Sequence, residues 1–262
     1  MKGLKGSVAA VLSRTGIIPV MAALRNTRGS TVRVLAYHRI LPRTDEDAFP
    51  SDLELVSAWS EEFEWQMRHV ASRYDVMAAR DLVDCLDSGR SVPRRALVVT
   101  FDDGFVDNHA HAFPVLRGLS LPATLFVSTA YVDSGRRFWF EAIASMVCNT
   151  RRDRCAPPTM PEPLSIGRQM GERRRAITAL LRHAKSLCNA DRLAFVDALS
   201  VELAVDPDSL PEPEHRPLDW ARVREMAAGG VEIGTHTGNQ PGPARPGEAP
   251  GGRGGIGASQ DA

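Results

Sequence analysis

No excess of either charge is present in this 262-residue sequence: 32 Lys+Arg stand against 32 Asp+Glu. The global basic field that marks a nucleic-acid binder is therefore missing, and no nucleic-acid partner is expected. The four cysteines, at 85, 148, 155 and 188, form no CxxC pair and no tight Cys/His cluster. That excludes a disulfide framework and a zinc ribbon, and leaves a reducing, cytoplasmic compartment as the expectation. Long apolar runs are also missing. Near the N-terminus the longest uncharged stretches, 6–13 and 15–24, are broken by Arg14 and Pro19. A membrane span needs about 20 such residues. No small-residue cleavage site marks a secretory leader, and no internal repeat is visible. Residues 1–30 read instead as an amphipathic arm, suited to lie on the core or on a membrane surface.

What remains is ordinary globular composition, 43% hydrophobic and 24% charged. The stretch VRVLAY (32–37) is short, apolar and β-branched, the pattern of a buried strand, and it runs into His38-Arg39-Ile40. Ser60 opens a helix with Glu61 and Glu62 in its first turn, and Phe63, Met67 and Val70 make one apolar face. A second helix over 78–87 stops at Gly89. ALVVTF (96–101) is the strongest strand pattern in the chain. An acidic turn, a helix over 107–116 and the strand ATLFV (123–127) follow. This strand–helix–strand order predicts α/β class with a parallel sheet or an irregular (β/α) barrel. Residues 133–217 carry no good strand. They predict a helical insertion with helices over 171–187 and 191–203, before a helix over 219–228 and a strand at Val231–Ile233.

The chemistry concentrates at two strand ends. TFDDG (100–104) places adjacent carboxylates, Asp102 and Asp103, where α/β barrels build their sites. Neighbouring strand residues point to opposite faces, so the two can take different roles, and Gly104 permits a sharp turn. One carboxylate suits a cation and the other a free base. GTHT (234–237) sets His236 at the end of a second such strand, and Asp plus His is half of a zinc-type site. His38, also at a strand end, is a candidate for the same cleft, although a lone His is more often structural. Phe138-Trp139-Phe140 reads more as core of the insertion than as a sugar platform. His109 and His111 read as surface residues, and the basic runs 151–154 and 173–175 as solvated faces. An aspartyl-phosphate chemistry is disfavoured, because the segment is Asp102-Asp103-Gly104-Phe105 rather than Asp-x-Asp with a following Thr.

ALVVTFDDGF, then LPATLFV about twenty residues on, then VEIGTHT after a helix, resembles the NodB-homology polysaccharide deacetylases. LAYHRI and FWFE are similar to the exopolysaccharide-associated branch. The resemblance covers roughly 32–237. It implies a deacetylase-type (β/α) barrel over 31–237 and a hydrolase that cleaves carbon–nitrogen bonds other than peptide bonds. The implied substrate is an acetylated glycan, N-acetyl or O-acetyl, and the implied cofactor a divalent metal, zinc above all. By this resemblance Asp102 corresponds to the general base, and Asp103 and His236 to metal ligands.

The family pattern places a second ligand His at about position 240, where this chain has Gln240. An amide oxygen is a poor substitute for imidazole on a borderline metal. From 238 to 262, 8 of 25 residues are Gly and 4 are Pro, too little apolar surface to fold, so a disordered tail is expected. The expectation is a barrel interrupted after GTHT, with a reading-frame slip near codon 238 as its proposed origin. Activity would then be impaired, and a non-catalytic remnant or carbohydrate-binding module of the same fold is the alternative.

Overall fold

The computed structural model describes residues 31–45, 49, 53–211 and 215–236. The expected arm (1–30), the expected tail (238–262) and Gln240 lie outside them. Strand β1 (Arg33–Tyr37) is followed by the short β2 (Arg39–Leu41) and β3 (Val56–Trp59), a parallel pair. Helix α1 (Ser60–Arg73), strand β4 (Asp75–Val76) and helix α2 (Ala79–Asp87) lead to β5 (Ala96–Asp103). After β5 come a π-helical segment (Asn108–Ala112), α3 (Phe113–Gly118), β6 (Ala123–Val127) and α4 (Thr129–Ser134). The insertion holds α5 (Trp139–Asn149), the two-residue strands β7 (Arg154–Cys155) and β8 (Leu164–Ser165), α6 (Met170–Ser186) and α7 (Asn189–Leu203). Helix α8 (Trp220–Ala228), capped by the Asp219 side chain, then delivers β9 (Val231–Thr235). Among the described residues no helix is long and apolar enough to cross a membrane.

The central sheet runs β1-β5-β6-β9, all parallel, with β4 on the first residues of β5. This is the α/β, deacetylase-type architecture that the sequence implies. Residues 96–101 are buried on both faces, which is why β5 reads as one continuous apolar run rather than an alternating one. Phe63, Met67 and Val70 of α1 bury the predicted face against it, and Tyr37, Phe63 and Phe101 meet ring to ring at 5.2–5.8 Å. A second core fills the insertion, where Ile143, Met146, Leu180 and Leu199 are fully enclosed. Phe105, directly after the acidic turn, belongs to that second core and packs on Phe138, ring centroids 4.5 Å apart and tilted by 52°. The two cores are thereby joined at the end of β5.

Several expectations need correction. Strand β5 extends through both carboxylates, because β6 pairs with Asp102 and Asp103 as ladder partners of Phe126 and Val127. The helix expected over 107–116 begins as a π-helix. Its first side chain, Asn108, donates to the His38 carbonyl at 2.8 Å, at the point where the turn is wide. The insertion does contain strands, the antiparallel β7–β8 pair. Arg173 is not a solvated charge, for its guanidinium donates to the carbonyls of Val147, Cys148 and Thr150 and so closes the C-terminus of α5.

Candidate active site

The site is built by register. Asp103 pairs with Val127, and Val127 with Thr235, so the ends of β5, β6 and β9 stand at one level. His236 follows immediately and extends the ladder by one bond, its N–H donating to the Val127 carbonyl at 2.9 Å. Its imidazole turns back across β6, and Nε2 lies 3.3 Å from Asp103 Oδ1. The two residues thus come from strands separated by β6, not from neighbours.

Asp103 is held in a left-handed conformation, φ 75°, and Gly104 follows at φ 84°. For a residue with a side chain this costs roughly 1–2 kcal/mol and persists only where the surroundings over-determine it. The Asp103 carboxylate is almost wholly buried and the Asp102 carboxylate half-buried, while the His236 side chain is 39% exposed. The pair therefore sits at the protein surface, with its aspartate side buried and its histidine side open to solvent. The hydrogen bond that the imidazole donates to Asp103 holds the His236 pKa above its usual range. Partial burial opposes this, and the charges of Asp103 and Asp102 add to it. Asp102 is thus close enough for its charge to act on the ring, without bonding to it.

The donors suit a cation. Two ligands each about 2.1 Å from a tetrahedral zinc stand about 3.4 Å apart, close to the 3.3 Å between Oδ1 and Nε2. Among the described residues, no group of three His, Cys, Asp or Glu side chains is gathered that could hold a metal. His38 follows β1 at the level of Asp102, because Tyr37 pairs with Phe101. Its backbone is tied to Ser57 Oγ and Asn108 Nδ2, and its side chain makes no bond to Asp102, Asp103 or His236. The Phe138–Phe140 patch is buried in the insertion core.

Sequence reasoning missed a buried ionic cluster beneath the turn. The Arg39 guanidinium is fully buried and donates from Nε to Asp107 Oδ2 at 2.8 Å and from an Nη to Glu141 Oε1 at 3.0 Å. The same Nη lies 3.0 Å from His215 Nδ1, which is 3.1 Å from Glu141 Oε2. The Ile40 N–H donates to Asp107 Oδ1 at 3.1 Å, and Arg39 lies over the Phe105 ring at 4.7 Å. Burial pushes the Asp107 carboxyl up to about 6, against the pull of Arg39. Burial alone would lower Arg39, but Glu141 and Asp107 outweigh it and lift the guanidinium above its usual range. The available signal was Glu141, the lone charge in the otherwise apolar run FWFEAIASMV.

No curated protein matches the chain. Solved structures give weak likenesses. The Streptococcus pyogenes deacetylase PplD, in complex with acetate, is 14% identical with a TM-score of 0.44, over 79% of this chain and 57% of that one. A de-N-acetylase from Aggregatibacter actinomycetemcomitans is 17% identical with a TM-score of 0.40, over 79% and 55%. IcaB from Ammonifex degensii is 19% identical with a TM-score of 0.34, over 85% and 93%. The chain spans little more than half the length of the first two. The family model for polysaccharide deacetylase matches residues 89–245, more than half of the sequence and the whole of the β5-to-His236 site. On that match, the chain belongs to the polysaccharide deacetylase family.

Proposed function

We propose that the chain is a metal-dependent hydrolase that removes acetyl groups, N-acetyl before O-acetyl, from an exported polysaccharide. Asp103 and His236 hold the metal in this reading, with zinc favoured, and Asp102 is the base. The observation that carries it is the 3.3 Å approach of Asp103 to His236, with the Asp102 carboxylate beside them at one strand end. An ion held by Asp103 and His236 would supply Lewis acidity, to the acyl oxygen and to the attacking water. Asp102, whose negative charge already reaches this space, accepts a proton from water as the water oxygen bonds to the acyl carbon, and passes it to the nitrogen as the acyl carbon–nitrogen bond breaks. The products are acetate and a free amine. Asp103 keeps its carboxylate on the cation side because its backbone is fixed in the left-handed region.

A second reading, a non-catalytic carbohydrate-binding relative of impaired activity, draws on the two-donor set, since catalytic zinc usually has three protein ligands. One experiment separates the two. Zinc is titrated into the full chain by calorimetry, and acetate release from a polymeric N-acetylhexosamine is followed. The first reading expects stoichiometric zinc at micromolar concentration, lost in Asp103→Asn and His236→Ala. It also expects Asp102→Asn to retain zinc and lose turnover about 100-fold or more. Absence of stoichiometric zinc together with retained glycan binding would establish the second reading.

A further inference from the structure

The strained Asp103 backbone needs anchors, and the chain beyond it supplies them residue by residue. The Gly104 carbonyl accepts from Leu218 N–H at 2.8 Å, Phe105 forms an antiparallel bridge with Pro217, and Val106 N–H donates to the Arg216 carbonyl at 3.0 Å. Asp107 takes Arg39 Nε and the Ile40 N–H, and Asn108 Nδ2 donates to the His38 carbonyl. Gly104 to Val106 are thus fastened to the strip 216–218, and Asp107 and Asn108 to the strip His38–Ile40. Those two strips belong to different parts of the fold. The bonds of Arg39 to His215, the residue before the first strip, and to Glu141 of α5 join them. Both Glu141 and His215 come from the insertion, and Glu141 is fully buried.

We propose that Glu141 and His215 are positioning residues. Through Arg39 and Asp107 they lock the turn after β5, hold Asp103 in its left-handed conformation and keep its carboxylate against His236. The helical insertion is then part of the machinery that shapes the site rather than an appendage to it. This rests on the reading of Asp103 as a metal ligand given above. It goes beyond that reading in assigning control of the ligand to side chains outside the site. Groups that orient metal ligands in this indirect way typically alter metal affinity 10- to 100-fold.

The test compares Glu141→Gln and His215→Asn with a control, Leu180→Val. Leu180 is enclosed in the insertion core and takes no part in the cluster. Hydrogen exchange is measured in the metal-free full chain, alongside zinc affinity and the split between kcat and KM. The cluster variants should exchange the amides of Gly104, Val106 and Leu218 at least ten times faster relative to those of β5 at 97–100. They should also bind zinc about 10- to 100-fold more weakly and lower kcat with little change in KM. The control should lose stability without any of these shifts. Should Glu141→Gln fail to fold, His215→Asn, which leaves both Arg39 carboxylate bonds in place, decides alone. Equal exchange in the cluster variants and the control, at matched stability, would overturn the proposal. If the wild-type chain takes up no zinc, the reading of the metal centre fails, and the exchange comparison still decides whether the cluster holds the turn.

Discussion

Replacing Arg39 with Met tests the energetics of the buried cluster directly. The substitution keeps most of the side-chain length but leaves Asp107 and Glu141, both at 0% exposure, facing each other without their shared guanidinium. Removing one partner of a buried ion pair costs about 3–5 kcal/mol; the Ile40 N–H on Asp107 and the His215 ring beside Glu141 remain, but the full guanidinium charge is gone. Against a total stability of roughly 5–15 kcal/mol, that is a large fraction. The loss must also depend on pH in a defined direction. Asp107 already sits at about 6, above its ordinary value, because burial penalises its charged form. Without Arg39 it moves further up. An acid whose folded value is raised disfavours the folded state fully above that value, and the penalty disappears as pH falls below the unfolded value. In the wild type this penalty changes only below about pH 6. In the variant the change reaches into neutral pH, at about 1.4 kcal/mol per pH unit while the carboxyl titrates. Urea unfolding at about pH 8 and about pH 6.5, followed by tryptophan fluorescence, measures both effects. The expected result is a loss of about 3–5 kcal/mol at the higher pH, partly recovered at the lower one. A loss below about 1 kcal/mol, or equal losses at the two pH values, would refute the reasoning.

Gly104→Ala should cost about 1–3 kcal/mol in the same assay, since the new Cβ would stand 3.1 Å from Val127 Cγ1 at a φ of 84°. An unchanged midpoint would mean that the turn can relax. Gly234→Ala on β9 would drive its Cβ to 2.6 Å from Cδ1 of the cross-strand Phe126 ring. We expect a loss of about 1–3 kcal/mol, and full stability would show that the ring simply swings away. In the metal-free chain, Asp103→Asn should lower the His236 pKa toward its ordinary value, as read by NMR titration. The wild-type contact stabilises the fold below the ordinary histidine value and fades as pH rises through the raised one. An imidazole that titrates identically in both proteins would remove Asp103 as the cause.

The middle of the sheet was legible because β5 and β6 are almost wholly enclosed, so ALVVTF and ATLFV read as dense apolar runs. The edge strand β9 is only partly buried, and its signal, Val231 and Ile233 flanking Glu232, is correspondingly shorter. The candidate ligands were legible for a related reason. Functional groups at strand ends break an apolar run abruptly, as Asp102-Asp103 and His236 do. Less visible was anything that depends on distant partners. Arg39, Asp107, Glu141 and His215 are scattered over more than 170 positions, and none is unusual beside its own neighbours. The π-helical opening at Asn108 coincides with a bond across 70 positions, which no local periodicity can announce. Arg173 read as an exposed charge because the carbonyls it satisfies lie on another helix.

Val127 carries no reactive group, yet its backbone sets the level at which Asp103 and His236 meet. Adjacent strands lie about 4.8 Å apart, so the ends of β5 and β9, one strand removed from each other, are separated by nearly twice that distance. Aspartate and imidazole close the gap only by leaning toward each other across β6, where the Val127 carbonyl seats the histidine backbone and a Val127 methyl lies beside Gly104. The span between the two polar groups is therefore set by the single strand that lies between them, and the reactive pair inherits its spacing from backbone pairing rather than from either side chain.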